Sequence, residues 1–247
     1  MGIETRQGGY WCVVPAAGNS QRFGASVPKQ YQPIAGATLL EHTLQRLAAH
    51  PRVAGLMVVL AADDPHWART FPALAGASAD TALTLRGKPL RSVPGGATRA
   101  DSTLAGLMAL PAMVRDPDFV LVHDAARPCL RADDLTRLIE GATQKDGGLL
   151  AAPLRDTLKR SDAFGHCLST EPRKSRWRAF TPQIFRRGEL TQALLSARSE
   201  QVEITDEAMA MEHSGHTPLL VEGADDNIKV TTPADLAMAE FLLARMG

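Results

Sequence analysis

Two basic residues follow a loop of small residues near the start of the chain. An apolar run over residues 11–14 leads directly into Pro15-Ala16-Ala17-Gly18, and Arg22 and Lys29 come next. Small side chains let backbone N–H groups approach phosphate oxygens, and the N-terminus of a following helix adds a favourable dipole. Arg22 and Lys29 can neutralise the phosphate charge that the backbone N–H groups do not neutralise. The segment therefore predicts a loop that binds a polyphosphate.

This loop matches neither of two common nucleotide-binding motifs. It lacks the Gly-x-x-x-x-Gly-Lys-Ser/Thr pattern of a Walker loop, and it lacks the Gly-x-Gly-x-x-Gly pattern of a dinucleotide-binding loop. The second absence disfavours a dehydrogenase. The pattern indicates a nucleotide-handling loop of another kind.

A carboxylate and a guanidinium follow a second apolar run, over residues 119–123. Asp124 comes directly after this run, and Arg127 follows three residues later. A buried carboxylate needs a partner, because an unpaired buried charge is costly. A divalent cation shared with substrate phosphates is one partner for Asp124, and a structural Arg is the other. Arg127 has the planar fork that suits a phosphate, and its alternative role is a salt bridge to Asp124.

Two further segments carry weaker signals. Gly95-Gly96 precedes a predicted helix start, and such a pair lets the backbone approach a flat ligand such as a base, with Ser102 as a hydrogen-bonding group. The alternative is an ordinary loop and helix entry. Lys229 stands in an apolar run, although a single Lys usually faces solvent. We expect His123 to pack or to orient its loop rather than to act as a base.

Composition limits the class of protein. The 247 residues are 45% apolar, and 27 Lys and Arg balance 27 Asp and Glu. This length suits one large α/β domain or two small ones, and the apolar fraction is enough for a sizeable core. The neutral balance argues against general nucleic-acid binding. Three scattered cysteines fit neither a disulfide framework nor a zinc site and suit a reducing cytoplasm. Apolar runs are too short for a membrane span. We expect a cytoplasmic protein without nucleic-acid or membrane partners.

The elements that must position these residues alternate along the chain. Predicted strands cover 11–15, 56–61, 81–86, 119–123, 148–152 and 217–221. Predicted helices cover 39–49, 65–74, 99–110, 132–144, 187–199, 206–213 and 233–245. This alternation predicts an α/β fold with a mostly parallel sheet flanked by helices, and ligands of such sheets bind beyond the carboxyl ends of the strands.

Two segments fall outside the alternation of strands and helices. The segment 87–97 contains three Gly and two Pro, so it predicts a loop. The charge-rich segment 153–178 has weak periodicity and predicts a protrusion from the sheet. A solvated insertion is the alternative for the second segment.

The motifs together resemble one family, the 2-C-methyl-D-erythritol 4-phosphate cytidylyltransferases. They occur in order over residues 11–245, so the set is far more specific than any one member. The matching motifs are Ala16-Ala17-Gly18 with Arg22; Pro28-Lys29-Gln30-Tyr31; Gly95-Gly96 with Arg99 and Ser102; Val122-His123-Asp124-Ala125-Ala126-Arg127-Pro128; Ala152-Pro153 with Asp156-Thr157; Thr181-Pro182-Gln183; Thr205-Asp206-Glu207-Ala208; and Asp226-Asn227-Ile228-Lys229-Val230-Thr231.

The resemblance implies a fold, a reaction and an assembly. The fold is expected to be nucleotide-diphospho-sugar-transferase-like, a single domain over 1–247 with an arm over about 153–178 that reaches into the partner of a homodimer. The reaction is expected to transfer a cytidylyl group from CTP to 2-C-methyl-D-erythritol 4-phosphate, giving 4-CDP-2-C-methyl-D-erythritol and pyrophosphate in the non-mevalonate isoprenoid pathway. Mg²⁺ or another divalent cation is the implied cofactor.

The resemblance also implies roles for individual residues. Those implied to bind CTP are Ala16, Ala17, Gly18, Arg22, Lys29, Gly96, Ala97, Ser102, Asp124, Ala125 and Lys229. Those implied to bind the sugar-alcohol phosphate are Asp124, Arg127, Thr157, Arg173, Thr181 and Lys229, with Thr157 and Arg173 supplied by the arm of a partner subunit. Those implied to be catalytic are Arg22, Lys29, Arg173 and Lys229. Asp124 is implied to lie at the divalent cation.

Two positions depart from the family, and two other readings stay open. Ser20 stands where many relatives have a second Gly, and Ala97 stands where some carry an acidic residue. If that acid recognises cytosine, this chain must use backbone groups instead. The alternatives are a ribitol 5-phosphate cytidylyltransferase and a non-catalytic nucleotide-binding module. A pure binder need not carry both Arg22 with Lys29 and Asp124 with Lys229.

Overall fold

The computed structural model describes residues 9–18, 23, 27–71 and 83–246. The strands in these ranges are β1 (Tyr10–Pro15), β2 (Pro33–Ile34), β3 (Ala37–Thr38), β4 (Val53–Leu60), β5 (Leu83–Leu85), β6 (Lys88–Pro94), β7 (Phe119–Val122), β8 (Gly148–Pro153), β9 (Leu158–Ser161), β10 (Cys167–Glu171), β11 (Trp177–Arg186) and β12 (Leu219–Glu222). The helices are α1 (Leu39–Ala49), α2 (Trp67–Thr70), α3 (Arg99–Met108), α4 (Ala132–Ala142), α5 (Arg187–Ser199), α6 (Glu207–His213) and α7 (Pro233–Leu243), and a short 3-10 helix covers Lys29–Tyr31.

Eight of the described strands form one sheet in the order β12-β8-β11-β7-β1-β4-β6-β5. β1 lies at the centre, parallel to β4 on one side and to β7 on the other, so Val13 pairs with Met57 and with Val122. β11 and β5 run antiparallel to their neighbours. The carboxyl ends of β1, β4, β6 and β7 therefore meet at one edge. The predicted α/β fold with a mostly parallel sheet is confirmed.

Helices bury both faces of this sheet. Successive side chains of a strand point to opposite faces. Accordingly, Cys12 and Val14 of β1 pack with α1 and α4, whereas Val13 packs with α3 and α5 on the other face. All three side chains are fully buried. This explains why β1 reads as a continuous apolar run, as is typical of strands covered on both sides. None of the helices in the ranges given above is long and apolar enough to span a membrane.

The predicted loop over 87–97 is wrong for most of its length. β6 covers Lys88–Pro94 and pairs in parallel with β4, with Leu90 opposite Leu56. The Gly and Pro content of this segment predicts a turn, but Leu90 is buried against the core and β4 supplies a ladder of backbone hydrogen bonds. Strand preference depends strongly on such tertiary partners.

Strand β11 has no counterpart among the predicted strands. It lies between β7 and β8 and pairs antiparallel with both. Its first residues, Trp177 to Ala179, are exposed and partly charged, whereas Phe180 to Phe185 are buried. The strand therefore lacks the continuous apolar run by which the other buried strands were predicted. Of the predicted strand over 81–86, β5 covers Leu83–Leu85 and residues 81–82 lie outside the described residues. Of the predicted helix over 65–74, α2 covers Trp67–Thr70 and residues 72–74 lie outside them.

The charge-rich segment over 153–178 contains a regular hairpin. β9 and β10 pair antiparallel, with Lys159 opposite Thr170. All four residues of β9 are exposed, and Phe164 at the tip is 87% exposed. The segment leaves the sheet at the end of β8 and returns at the start of β11, so it emerges from the same edge as the carboxyl ends of β1 and β7. Its role as an arm in a dimer stays a prediction.

Candidate active site

A cleft of about 420 Å³ lies at the carboxyl ends of β1, β6 and β7. It brings together ten of the predicted site residues from distant parts of the chain: Ala16, Ala17, Gly18, Lys29, Gly96, Ala97, Ser102, Asp124, Ala125 and Lys229. This is the edge at which open α/β sheets bind ligands. Arg22 and Ser20 lie outside the described residues.

A second, more open groove of about 820 Å³ lies beside α5. It lies near the point where β11 ends and β7 begins, at the opposite edge of the sheet. Its lining mixes signs, and Arg186 pairs with Glu189 at 3.8 Å. The smaller cleft is the better candidate because cations converge there on one carboxylate, as described below.

Gln30 joins the loop after β1 to the helix that carries Lys29. The Nε2 group of Gln30 donates to the carbonyl oxygens of Ala16 at 2.8 Å and Gly18 at 3.1 Å. Gln30 is buried, and it follows Lys29 directly in the short 3-10 helix. These two hydrogen bonds fix the small-residue loop against the 3-10 helix, and Lys29 is therefore held beside that loop. Sequence reasoning quoted Gln30 within a motif but assigned it no role.

Tyr31 anchors the other side of the same 3-10 helix. Its hydroxyl donates to Asp64 Oδ2 at 2.8 Å, and its ring stacks on His66 with 5.1 Å between ring centroids. Burial and the neighbouring Asp64 carboxylate raise the pKa of Tyr31, so its hydroxyl stays protonated and remains a donor. Lys29 thus lies on a turn in which the next two residues, Gln30 and Tyr31, are both held by side-chain hydrogen bonds.

Gly95 and Gly96 are required by close packing of the loop itself. A Cβ at Gly95 would lie 2.7 Å from Ser102 Oγ and 2.8 Å from Ala17 Cβ, and a Cβ at Gly96 would lie 2.4 Å from Asp101 Cβ. Contacts this short are repulsive. Gly95 therefore lets the loop after β6 contact the loop after β1, and Gly96 lets it pack against the start of α3.

The hydroxyl of Ser102 already has partners in its own loop. It donates to the carbonyl of Thr98 at 2.9 Å, and it accepts from the N–H of Gly96 at 3.3 Å. Ser102 therefore shapes the backbone at Gly96 and Ala97, both exposed to the cleft. The helix entry after this loop is present, with Thr98 at the start of α3, and contact between Ser102 and a base stays a prediction.

Asp124 is the point on which three cationic side chains converge. Its Oδ1 accepts from Arg99 Nε at 3.0 Å, and its Oδ2 lies 3.0 Å from Lys229 Nζ and 3.4 Å from Arg127 Nε. Asp124 is only 7% exposed. Burial alone would raise its pKa, but the three cations lower that pKa well below its ordinary value. Asp124 is therefore ionised at neutral pH and holds Lys229 in the cleft.

Arg127 and Thr181 are buried behind Asp124. Arg127 Nη1 donates to the carbonyl of Asn227 at 2.7 Å, and burial lowers the pKa of this guanidinium although Asp124 opposes the shift. Thr181 Oγ1 accepts from the backbone N–H of Asp124 at 3.0 Å. Neither side chain lines the cleft in this conformation. The salt bridge read as the alternative role of Arg127 is present, and substrate contacts of both residues stay predictions.

His123 is a neutral packing residue. Its Nε2 lies 3.1 Å from the carbonyl of Arg127, and its Nδ1 lies 3.0 Å from Thr181 Oγ1. Because burial lowers the pKa of His123 to about 4, the ring is neutral at pH 7. These contacts suit a ring that donates through Nε2 and accepts from the threonine hydroxyl through Nδ1. The expectation that His123 orients the loop is confirmed.

Glu207 stands in one of the motifs quoted above, but the sequence assigned it no role. Its two carboxylate oxygens accept from Arg99 Nη1 at 2.7 Å and Nη2 at 3.0 Å, and Thr103 Oγ1 donates to it at 3.1 Å. Glu207 is 1% exposed. The available signal was an acidic residue in the first turn of a helix whose neighbours are apolar. Burial of such a carboxylate demands a cationic partner.

Thr157 and Arg173 lie on the exposed segment between β8 and β11. Neither is among the described residues that line the cleft. An Nη1 group of Arg173 donates to the carbonyl of Arg155, and Arg155 pairs with Asp225 at 3.4 Å. These contacts tie the base of the hairpin to the segment after β12. Within one chain the two residues do not join the other predicted site residues.

The cleft offers one carboxylate to a metal ion. No group of three or more His, Cys, Asp or Glu side chains that could hold a metal ion occurs in residues 9–18, 23, 27–71 and 83–246. Asp124 contributes a single carboxylate. Mg²⁺ is commonly bound by one or two carboxylates together with substrate phosphates. The residues therefore fit a cation that a polyphosphate brings with it better than a cation held by protein alone.

Comparisons with known proteins agree on one family. The sequence model described as "IspD: 2-C-methyl-D-erythritol 4-phosphate cytidylyltransferase" matches residues 11–245. A protein of that name from Stenotrophomonas maltophilia (strain K279a) is 56% identical over 236 residues, covering 95% of this chain and 97% of the relative. A similar protein of the same name from Xylella fastidiosa (strain 9a5c) is 52% identical over 238 residues, covering 96% and 98%.

Solved structures give the same result. A crystal structure of 4-diphosphocytidyl-2C-methyl-D-erythritol synthase superposes with a TM-score of 0.79 at 35% identity, covering 96% of this chain and 99% of the other. The Francisella tularensis 2-C-methyl-D-erythritol 4-phosphate cytidylyltransferase gives a TM-score of 0.78 at 30% identity, covering 95% and 99%.

Proposed function

The chain belongs to the 2-C-methyl-D-erythritol 4-phosphate cytidylyltransferase family, and on this premise we propose that the cleft at the ends of β1, β6 and β7 is its active site. The enzyme transfers the cytidylyl group of CTP to 2-C-methyl-D-erythritol 4-phosphate and releases pyrophosphate. The product, 4-CDP-2-C-methyl-D-erythritol, belongs to the non-mevalonate route to isoprenoid precursors.

CTP is proposed to lie across the cleft from the loop after β1 to the loop after β6. The triphosphate contacts the backbone of Ala16, Ala17 and Gly18, with Arg22 and Lys29 supplying positive charge. The support is that Gln30 donates hydrogen bonds to the carbonyl oxygens of Ala16 and Gly18. Two carbonyl oxygens that would repel a phosphate are therefore already bonded within the protein. The base lies against Gly96 and Ala97, where the loop is exposed and its shape is held by Ser102.

The reaction requires positive charge rather than a strong base. The phosphate oxygen of the acceptor attacks the α-phosphorus of CTP, and the bond to pyrophosphate breaks. A phosphate monoester is already anionic near neutral pH, which agrees with the neutral, buried His123. Two unit charges ~4 Å apart repel by about 4 kcal/mol at an effective dielectric constant near 20. Lys29, Lys229 and Arg22 offset this repulsion and the charge that grows on the leaving group.

The acceptor phosphate is proposed to bind near Lys229 and Asp124. Lys229 Nζ lies 3.0 Å from Asp124 Oδ2, and the side chain of Lys229 is 38% exposed. The carboxylate holds three cations in place before substrate arrives, and preorganised charge of this kind is an effective means of catalysis. Arg127 and Thr181 belong to the same proposed subsite, where they support Asp124 from behind.

A divalent cation, Mg²⁺ or another, is proposed to enter with CTP. Asp124 is the residue that would hold it, together with phosphate oxygens, and its usual contribution would be to neutralise phosphate charge. The rest of the chemistry proposed for this chain depends on its own cations, Arg22, Lys29 and Lys229.

A homodimer is proposed in which the hairpin of β9 and β10 reaches the cleft of a partner subunit. The hairpin is exposed, carries Leu158, Phe164 and Leu168 on its surface, and projects from the edge of the sheet that contains the cleft. Thr157 and Arg173 would then complete the acceptor subsite of the partner.

The three free cysteines suit the reducing cytoplasm, which we propose as the compartment.

The observation that carries this proposal is the convergence of Arg99, Arg127 and Lys229 on Asp124 beside the small-residue loop. The test is release of pyrophosphate from CTP and Mg²⁺, with 2-C-methyl-D-erythritol 4-phosphate compared with ribitol 5-phosphate. Turnover confined to the methylerythritol phosphate supports the assignment. Turnover confined to ribitol 5-phosphate would retain the mechanism and replace the acceptor. CTP binding without turnover of either acceptor would indicate a non-catalytic module.

A further inference from the structure

Glu207 lies behind the cleft and reaches it through Arg99. Both oxygens of Glu207 accept from the terminal nitrogens of Arg99, at 2.7 and 3.0 Å, and the remaining Nε group of Arg99 donates to Asp124 Oδ1 at 3.0 Å. One guanidinium thus uses its three nitrogens on two carboxylates. A planar guanidinium fixes the relative orientation of such partners in a way that an ammonium group does not.

The connection spans three separate elements. Glu207 begins α6, Arg99 begins α3, and Asp124 follows β7. Thr103, one turn further along α3, also donates to Glu207 Oε1 at 3.1 Å. The carboxylate of Glu207 is therefore held by two residues of α3, and its position determines where the Arg99 guanidinium lies.

The charges explain why Arg99 needs a second carboxylate. Burial opposes the positive charge of Arg99, but Glu207 and then Asp124 overcome that effect and raise the pKa of Arg99 above its ordinary value. With Glu207 absent, the full charge of Arg99 would act on Asp124 alone. Arg99 would then compete with Lys229 for the same carboxylate, whose Oδ2 holds Lys229 Nζ at 3.0 Å.

We infer that Glu207 is a positioning residue for cytidylyl transfer, acting through Arg99 to orient the Asp124 carboxylate and so to hold Lys229 in the cleft. Glu207 itself contacts neither substrate. This inference rests on the proposed function of the cleft. It distinguishes Glu207 from a simple structural ion pair, because it predicts a loss of turnover that is larger than any loss of CTP affinity.

The test is the variant Glu207→Gln, which keeps the size of the side chain and removes its charge. Turnover of the wild-type enzyme is measured first in the same assay. If the wild-type enzyme shows no turnover, the proposed function is wrong, and this outcome is distinct from an effect of the variant. We expect kcat to fall by about tenfold or more, and Kd for CTP in the absence of acceptor to rise by a clearly smaller factor, because displaced catalytic groups affect kcat strongly. Glu140→Gln is the matched control, since Glu140 is 65% exposed on α4 and remote from the cleft.

Two further variants separate positioning from folding. The double variant Glu207→Gln with Asp124→Asn should turn over no more slowly than Asp124→Asn alone, because residues that act as a unit give non-additive effects. If Glu207→Gln does not fold, Glu207→Asp keeps the charge, and we expect it to fold and to lose kcat by a larger factor than CTP affinity.

Three results would overturn the inference. The first is a wild-type kcat in a folded Glu207→Gln or Glu207→Asp variant. The second is additive losses in the double variant. The third is a parallel loss of kcat, CTP affinity and thermal stability. A wild-type enzyme that is silent with both acceptors would overturn the proposed function, and this inference with it.

Discussion

Lys229 Nζ lies 3.0 Å from Asp124 Oδ2, which joins the segment before α7 to the end of β7. The contact places a cation from the C-terminal part of the chain beside a loop that follows a central strand. Asp124 can hold Lys229 in this way because Arg99 and Arg127 keep the carboxylate ionised from the other sides. The cleft is therefore a group of cations organised around one anion, which suits a site that must bring two phosphorylated substrates together.

Replacement of Lys29 is expected to remove a preorganised charge at the triphosphate. We predict that Lys29→Ala lowers kcat by roughly a hundredfold or more, the scale for one preorganised donor in other enzymes. The measurement is steady-state release of pyrophosphate with both substrates saturating. Lys145→Ala, at an exposed position after α4, is the control. Near-normal turnover of the Lys29 variant would remove Lys29 from the mechanism.

Replacement of Asp124 is expected to remove a part of the stability that depends on pH. Asp124→Asn leaves Arg99, Arg127 and Lys229 facing one another without their carboxylate, and removal of one member of a buried ion pair costs on the order of 3 kcal/mol. The folded-state pKa of Asp124 is lowered, so its stabilisation is present above the ordinary pKa of 3.8 and is lost as pH falls below that value.

The measurement for Asp124 is the free energy of unfolding of wild type and Asp124→Asn between about pH 3 and pH 8. We expect a constant difference from pH 8 down to about pH 5 and a shrinking difference below about pH 4. A difference that stays constant down to pH 3, or that grows on acidification, would contradict the ionised state assigned to Asp124.

The hairpin between β8 and β11 is expected to act in a partner subunit. We predict that Arg173→Ala raises KM for the acceptor by about tenfold and leaves Kd for CTP nearly unchanged, since loss of one charged contact to a phosphate weakens binding by that order. Arg160→Ala, on β9 of the same hairpin, is the control. Sedimentation at the assay concentration gives the oligomeric state. A fully active monomer would refute the arm hypothesis.

Gly95 is expected to tolerate no side chain. We predict that Gly95→Ala destabilises the fold by about 1–3 kcal/mol, because its Cβ would lie 2.7 Å from Ser102 Oγ and 2.8 Å from Ala17 Cβ. The same displacement of Ala17 should weaken CTP binding. Chemical denaturation and CTP titration measure the two effects. Gly141→Ala on α4 is the control, where the nearest atom lies 3.3 Å from the added Cβ. Unchanged CTP affinity would show that the two loops move independently.

Local patterns were sufficient for the residues that follow buried parallel strands. The apolar runs of β1 and β7 predict strands, and parallel strands place their carboxyl ends at a common edge. It follows that Ala16 to Gly18 and Asp124 lie close together, as the structure shows. Local patterns were insufficient for β6, because the two Pro residues within it and the Gly residues that flank it indicate a loop, and the partner strand β4 is distant in sequence.

The sequence by itself determined the α/β alternation, the small-residue loop, the pairing of basic and acidic positions and the family to which these motifs belong. Only the tertiary structure decided that Glu207 reaches Asp124 through Arg99, that Gln30 ties Lys29 to the loop, and that Arg127 lies behind the cleft. The physical reason is that periodicity and turn chemistry are local, whereas the partner of a buried charge is set by which distant elements the core packs together.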